Sequence, residues 1–108
     1  MPKYLLQASY TADGVKGLIK DTASGRRAAV KAAVKGVGGK IESMYYSFGK
    51  ADVVVIMDLP DNVAAATLAA AVGSSGLVRL TTTPLITVEE MDKALAKKIK
   101  YQAPGSAK

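Results

Sequence analysis

Several side chains in this sequence have types and spacings suited to binding or transforming a small molecule. Asp52 follows Gly49-Lys50-Ala51 and opens the apolar run Val53-Val54-Val55-Ile56-Met57. A carboxylate there can serve as acid, base or ligand anchor; it can equally accept backbone N–H groups of the turn, a role for which Asp is well suited. Arg26 and Arg27 follow Ser24-Gly25 in the first turn of an expected helix, where cations oppose the helix dipole. They could clamp an anion together with free helix-terminal N–H groups, or pair with a carboxylate such as Asp21. Arg79 alternates with Leu77 and Thr81, which suits the side of a sheet that carries Gln7 and Ser9. Gln7, Ser9, Arg79, Thr81 and Thr83 would then form a polar sector, and an arginine between apolar strands needs a partner there. A substrate carboxylate, a protein carboxylate across a dimer, or neither of these could meet it. Tyr45 and Tyr46 are adjacent on a strand and so point to opposite faces, one into the core and one to the open side. A phenol that ordinarily titrates at about pH 10 serves packing better than proton transfer.

What is missing narrows the chemistry further. There are no histidines and no cysteines. This argues against Ser-His-Asp hydrolases, His-ligated metalloenzymes and His-ligated haem proteins, and it removes thiol nucleophiles, Cys-ligated zinc and disulfides. Ser24-Gly25 is too short for a phosphate loop, and no GxGxxG or Walker pattern is present. No catalytic residue, metal site or cofactor is indicated. The formal charge is +6, from 15 Lys and Arg against 9 Asp and Glu, which favours anionic partners. Its distribution is blander: Lys16, Lys20, Lys31 and Lys35 are spaced as solvated helix faces, and Lys93, Lys97, Lys98, Lys100 and Lys108 gather near the C-terminus. RNA-recognition modules need exposed aromatics on their central strands. The segment from Asp52 to Leu59 has none, which weighs against nucleic acid. With no apolar stretch of bilayer length and no leader pattern, the expectation is a cytoplasmic protein without a membrane span.

The elements that position these residues follow from periodicity. Lys3 to Tyr10 alternates as a first strand, with Tyr4, Leu6, Ala8 and Tyr10 on one face. Val15, Leu18 and Ile19 have helical spacing and predict a short helical piece. Ser24 is placed to cap a second, longer one with the stripe Val30, Ala33, Val34 and Val37, ended by Gly38-Gly39. Lys40 to Phe48 and Asp52 to Leu59 read as a hairpin turning at Gly49-Lys50-Ala51. Pro60-Asp61-Asn62 opens an alanine-rich helix from Val63 to Val72. Leu77 to Ile86 is a fourth strand, with Pro84 expected to limit pairing to its first half. Thr87-Val88-Glu89-Glu90 is a capping box before a helix with Met91, Ala94 and Leu95 on its apolar side. Residues 1–100 form one domain and residues 101–108 a flexible tail.

The order β-α-β-β-α-β-α is the ferredoxin-like arrangement, an α+β fold with two crossover helices on one face of a four-stranded antiparallel sheet. The third strand is central there, yet Val53 to Met57 is apolar on both of its faces. The helices cover one face. The other needs the C-terminal helix, a bound planar ligand or a second subunit, and a second copy packed sheet to sheet covers it best.

The stretches MPKYLLQASYTADGVKGL, SGRRAAVKAAVKGVGGKIESMYYSFGKADVVVIMDLPDN and GLVRLTTTPLIT resemble the GYD domain family, bacterial and archaeal proteins grouped with the dimeric α/β-barrel proteins. The resemblance implies a ferredoxin-like subunit whose sheet packs on a partner's sheet. It brings no catalytic residue. The family's Gly-x-Tyr-Asp-like turn maps to Gly49, Ala51 and Asp52, with Ala51 where tyrosine is usual. These readings together lead to the expectation of a homo-oligomer, at least a dimer, that binds a small anionic or aromatic molecule beside the sheet-to-sheet interface. The alternative is a structural or regulatory oligomer without a ligand.

Overall fold

The structure is a computed structural model that describes residues 1–106. The chain runs β1 (Lys3–Tyr10), α1 (Ala12–Gly36), β2 (Lys40–Tyr46), β3 (Val53–Asp58), α2 (Asn62–Gly73), β4 (Val78–Leu85) and α3 (Val88–Ala96). The sheet order is β2-β3-β1-β4, every pairing antiparallel, as the ferredoxin-like expectation requires. The central strands β1 and β3 pair Tyr4 with Met57, Leu6 with Val55 and Ala8 with Val53. All six are buried beneath α1 and α2 with Val34, Leu59, Ala64, Ala65 and Leu68, and Met57 and Leu59 are fully enclosed. Small side chains on α2 let its backbone approach the sheet closely. Asp61 caps α2 by accepting the Ala64 N–H (2.9 Å), and the Tyr4 hydroxyl ties β1 to this corner by donating to Asn62 Oδ1 (2.6 Å).

The sheet's other face is built from Leu5, Gln7 and Ser9 on β1, Val54 and Ile56 on β3, Ser43 and Tyr45 on β2, and Arg79, Thr81 and Thr83 on β4. Leu5, Val54 and Ile56 are only half-buried. No helix among the described residues covers them: α3 buries none of its residues, and Val88, Met91 and Leu95 along it are all exposed. Lys3 closes one end of this face, donating to Asp58 (2.9 Å) and Glu42 (2.7 Å). The ammonium beside it holds the Asp58 carboxyl below the usual carboxylate range.

Two expectations need correction. α1 is broken at Thr22 (φ 68°, ψ 164°), and the Thr22 hydroxyl, not Ser24, caps the second half by accepting the Gly25 N–H (3.2 Å). Pro84 does not end pairing: β1 and β4 stay in register from Tyr10–Val78 to Lys3–Leu85. β4 is an edge strand, so a residue without an N–H fits where that group would face solvent. The capping box stands as expected, Thr87 Oγ1 accepting from Glu90 N (3.0 Å) and Glu90 Oε1 from Thr87 N (2.8 Å). The C-terminus of α1 is closed by Gly39 N–H to Val34 O (3.0 Å) and Gly38 N–H to Lys35 O (2.9 Å), with Gly38 at φ 83°. Of the tail expected over 101–108, residues 101–106 carry no helix or strand, and 107 and 108 lie outside the described residues.

Candidate functional site

The register of β1 and β4 brings one group of sequence-predicted residues together. Gln7 stands opposite Thr81 and Ser9 opposite Arg79, all on the face away from the helices. With Lys50 and Ala51 of the β2–β3 turn they line an open depression of about 370 Å³. The Ser9 hydroxyl donates to Lys50 O (3.1 Å), fixing the turn against β1. Neither Arg79 nor Lys50 forms an ion pair among the described residues. The depression thus carries two uncommitted cations, a hydroxyl pair and an amide, a donor-rich set suited to an anion.

Asp52 borders this region, and its polar groups are already engaged. Its Oδ2 accepts the Tyr10 N–H (2.8 Å), its N–H donates to Ala8 O (2.8 Å), and its carbonyl accepts from Ser47 N (2.8 Å). It fills the turn role, continuing the β1–β3 contact beyond the last ladder pair. Asp52→Ala should therefore lower stability by about 1–3 kcal/mol, since the Tyr10 N–H is left unpaired. Asp52→Asn, which keeps an acceptor oxygen, should retain most of it. Urea melts of the two variants check this; an unchanged alanine midpoint would remove Asp52 from the architecture.

The two tyrosines are separated by the β2–β3 register. Tyr45 pairs with Val54 on the open face and is 70% exposed, whereas Tyr46 pairs with Val53 and points beneath α1. A bulge at Glu42 sets this phase, inserting one residue between the Ile41–Met57 and Ser43–Ile56 pairs. Arg26 and Arg27 diverge as well. The break at Thr22 puts them past the first turn of the second helical half, so they oppose its dipole less than a Ser24 cap would imply. Arg26 Nη1 lies 3.5 Å from Asp21 Oδ2 across the break, while Arg27 lines a shallow groove with Ser24, Tyr45 and Tyr46. They do not form one clamp.

The profile of the GYD domain matches residues 4–95, most of the chain. The chain belongs to the GYD domain family. No curated protein and no solved structure matches it. In this GYD domain the family turn lies between β2 and β3, with Ala51 on the wall of the depression and Asp52 turned back to β1. Lys50 was missed in the sequence because a turn lysine has no periodicity to assign it a face. Tyr10 was assigned to the helix-side face, but not to any cavity.

Proposed function

We propose that this GYD domain protein is a homodimer joined through the open faces of its two sheets, and that it binds a small anionic molecule in the depression at the seam. One observation carries the reading: Leu5, Val54 and Ile56 lie uncovered at the middle of the sheet, beside Arg79 and Lys50, which have no carboxylate partner among the described residues. A contiguous apolar face of this kind favours association. Packing a second copy over it would desolvate the depression and strengthen its cations' hold on an anion.

Sedimentation equilibrium tests the assembly. The parent protein is expected at twice 11.2 kDa. Ile56→Lys, which places a charge in the centre of the contact, should raise the dimer dissociation constant about a hundredfold or more. A parent protein that is monomeric at tens of micromolar overturns the proposal. Native mass spectrometry of gently purified protein tests the ligand. A reproducible small adduct lost in Arg79→Gln supports the seam site, and a dimer without one favours an oligomer that has no ligand.

A further inference from the structure

The helix side of the sheet holds a second space that the first reading does not use. α1 is 25 residues long, yet only Gly14 near its start and Val34 near its end are buried. Its middle stands off the sheet where the helix breaks at Thr22. Two hollows lie under this stretch. An outer cleft of about 280 Å³ opens between the first half of α1 and the end of α2, and an inner apolar hollow of about 80 Å³ lies over β1 and β3. Both are walled by Tyr10, Arg26, Val72 and Val78, which therefore form the neck between them. Taken together they reach the lower end of the ~300–1,000 Å³ range of small-ligand pockets.

Arg26 and Tyr10 bring polar groups to both hollows, and the strained backbone of Thr22 lies four residues before Arg26. The Tyr46 hydroxyl lies near Tyr10 and Arg26 but lines neither hollow; it is buried and makes no hydrogen bond among the described residues. Burial, reinforced by Tyr10, pushes the Tyr46 phenol up to about 12, so it remains a neutral donor at physiological pH. The Arg26 side chain is about two-thirds covered, and its one carboxylate contact among the described residues, Asp21, is long at 3.5 Å. Thr22 holds a left-handed, extended backbone that a β-branched residue adopts only at a cost. Strain of this kind gathers where a site must be kept open.

We propose that this space is a binding site for a small carboxylate with an apolar or aromatic body. The carboxylate would pair with Arg26 at the neck and accept from the Tyr10 hydroxyl, while the body lies in the outer cleft against Leu18, Val72 and Val78. The site is distinct from the seam depression. It lies on the opposite side of the sheet, so it stays accessible when the open face is covered.

Benzoate is the probe, followed by two-dimensional ¹H–¹⁵N NMR of the full chain. The expected result is saturable shifts clustered at Tyr10, Leu18, Asp21 to Arg26, Val72 and Val78, with benzyl alcohol binding at least about tenfold more weakly for want of the charge-assisted bond. Arg26→Gln should weaken benzoate about tenfold or more, and Arg79→Gln should leave it unchanged. Tyr10→Phe gives a second readout: it should lower affinity severalfold, whereas Tyr46→Phe should leave affinity unchanged and raise the melting temperature of the ligand-free protein, because it removes an unpaired buried hydroxyl. The proposal is overturned by shifts confined to Gln7, Ser9 and Arg79, by the absence of saturable shifts at tens of millimolar, or by Arg26→Gln binding as the parent does. Loss of binding in Arg79→Gln alone would assign benzoate to the seam, so the two sites succeed or fail separately.

Discussion

Gly14→Ala is expected to destabilise the protein by about 3 kcal/mol, although alanine is the better helix former by ~1 kcal/mol. Gly14 lies in the first turn of α1, where helix propensity alone predicts a gain. Its missing side chain decides otherwise. A Cβ there would overlap the Leu77 carbonyl oxygen and stand 3.1 Å from Leu77 C and 3.2 Å from Tyr10 Cδ1. The Leu77 oxygen cannot simply withdraw, because it accepts from Thr11 N (2.9 Å) and Thr11 Oγ1 (3.2 Å). Thr11 in turn caps α1 by accepting the Gly14 N–H (3.2 Å). Relief of the clash would open the cap and the β1–β4 closure together, adding a lost cap of ~1 kcal/mol to an overpacking cost of ~1–3 kcal/mol. A urea melt of Gly14→Ala decides the sign. A midpoint at or above the parent's would mean that α1 can pivot away from β4.

The second large effect is expected at Leu59. It follows β3 directly, is fully buried, and donates its N–H to Pro2 O (3.0 Å), fastening the start of the chain to the end of the central strand. Its side chain lies against Gly39, where an added Cβ would come within 2.6 Å of Leu59 Cδ2. Packing that close leaves little room for collapse after truncation, so Leu59→Ala should cost about 3–5 kcal/mol, the upper part of the range for buried leucines. Ile19→Ala, at a position 74% exposed, should stay within ~0.5 kcal/mol. Thermal and urea unfolding of both variants give the comparison. A small loss at Leu59 would show that this corner can collapse around the vacancy.

Most of the architecture was legible because hydrophobic period and punctuation agreed. β1 has the bounds its alternation predicts, Gly38-Gly39 closes α1, and Thr87 and Glu90 form their reciprocal cap. The break in α1 was harder to place. Thr22 and Ser24 are both good caps, and the positive φ falls on a threonine although Gly25 lies nearby. The polar group of Gln7, Ser9, Arg79 and Thr81 could be assembled by counting residues along two neighbouring strands. The facing of Tyr45 and Tyr46 could not, because the Glu42 bulge shifts the phase of β2 and bulges leave little trace in a single sequence. The space around Tyr10 and Arg26 was illegible for a different reason. It depends on how far the middle of α1 stands from the sheet, a distance set by the break and by two buried residues near the helix ends.

The sheet's borders also limit how the protein can grow. β4 and β2 each leave one side without a neighbour, and a row of unpaired backbone groups there is a template for indefinite polymerisation. Both rows are interrupted. Pro84 removes a rung from β4, and the Glu42 bulge, with Lys40 beside it, breaks the regular outline of β2. A strand arriving at either border would find no continuous ladder. A second copy packed on the broad face by a two-fold operation, as proposed, would end at two chains, whereas border addition has no natural stopping point. Proline and bulge thus stand as terminators at the sheet's borders, and in the proposed dimer they would leave the broad face as the route of association.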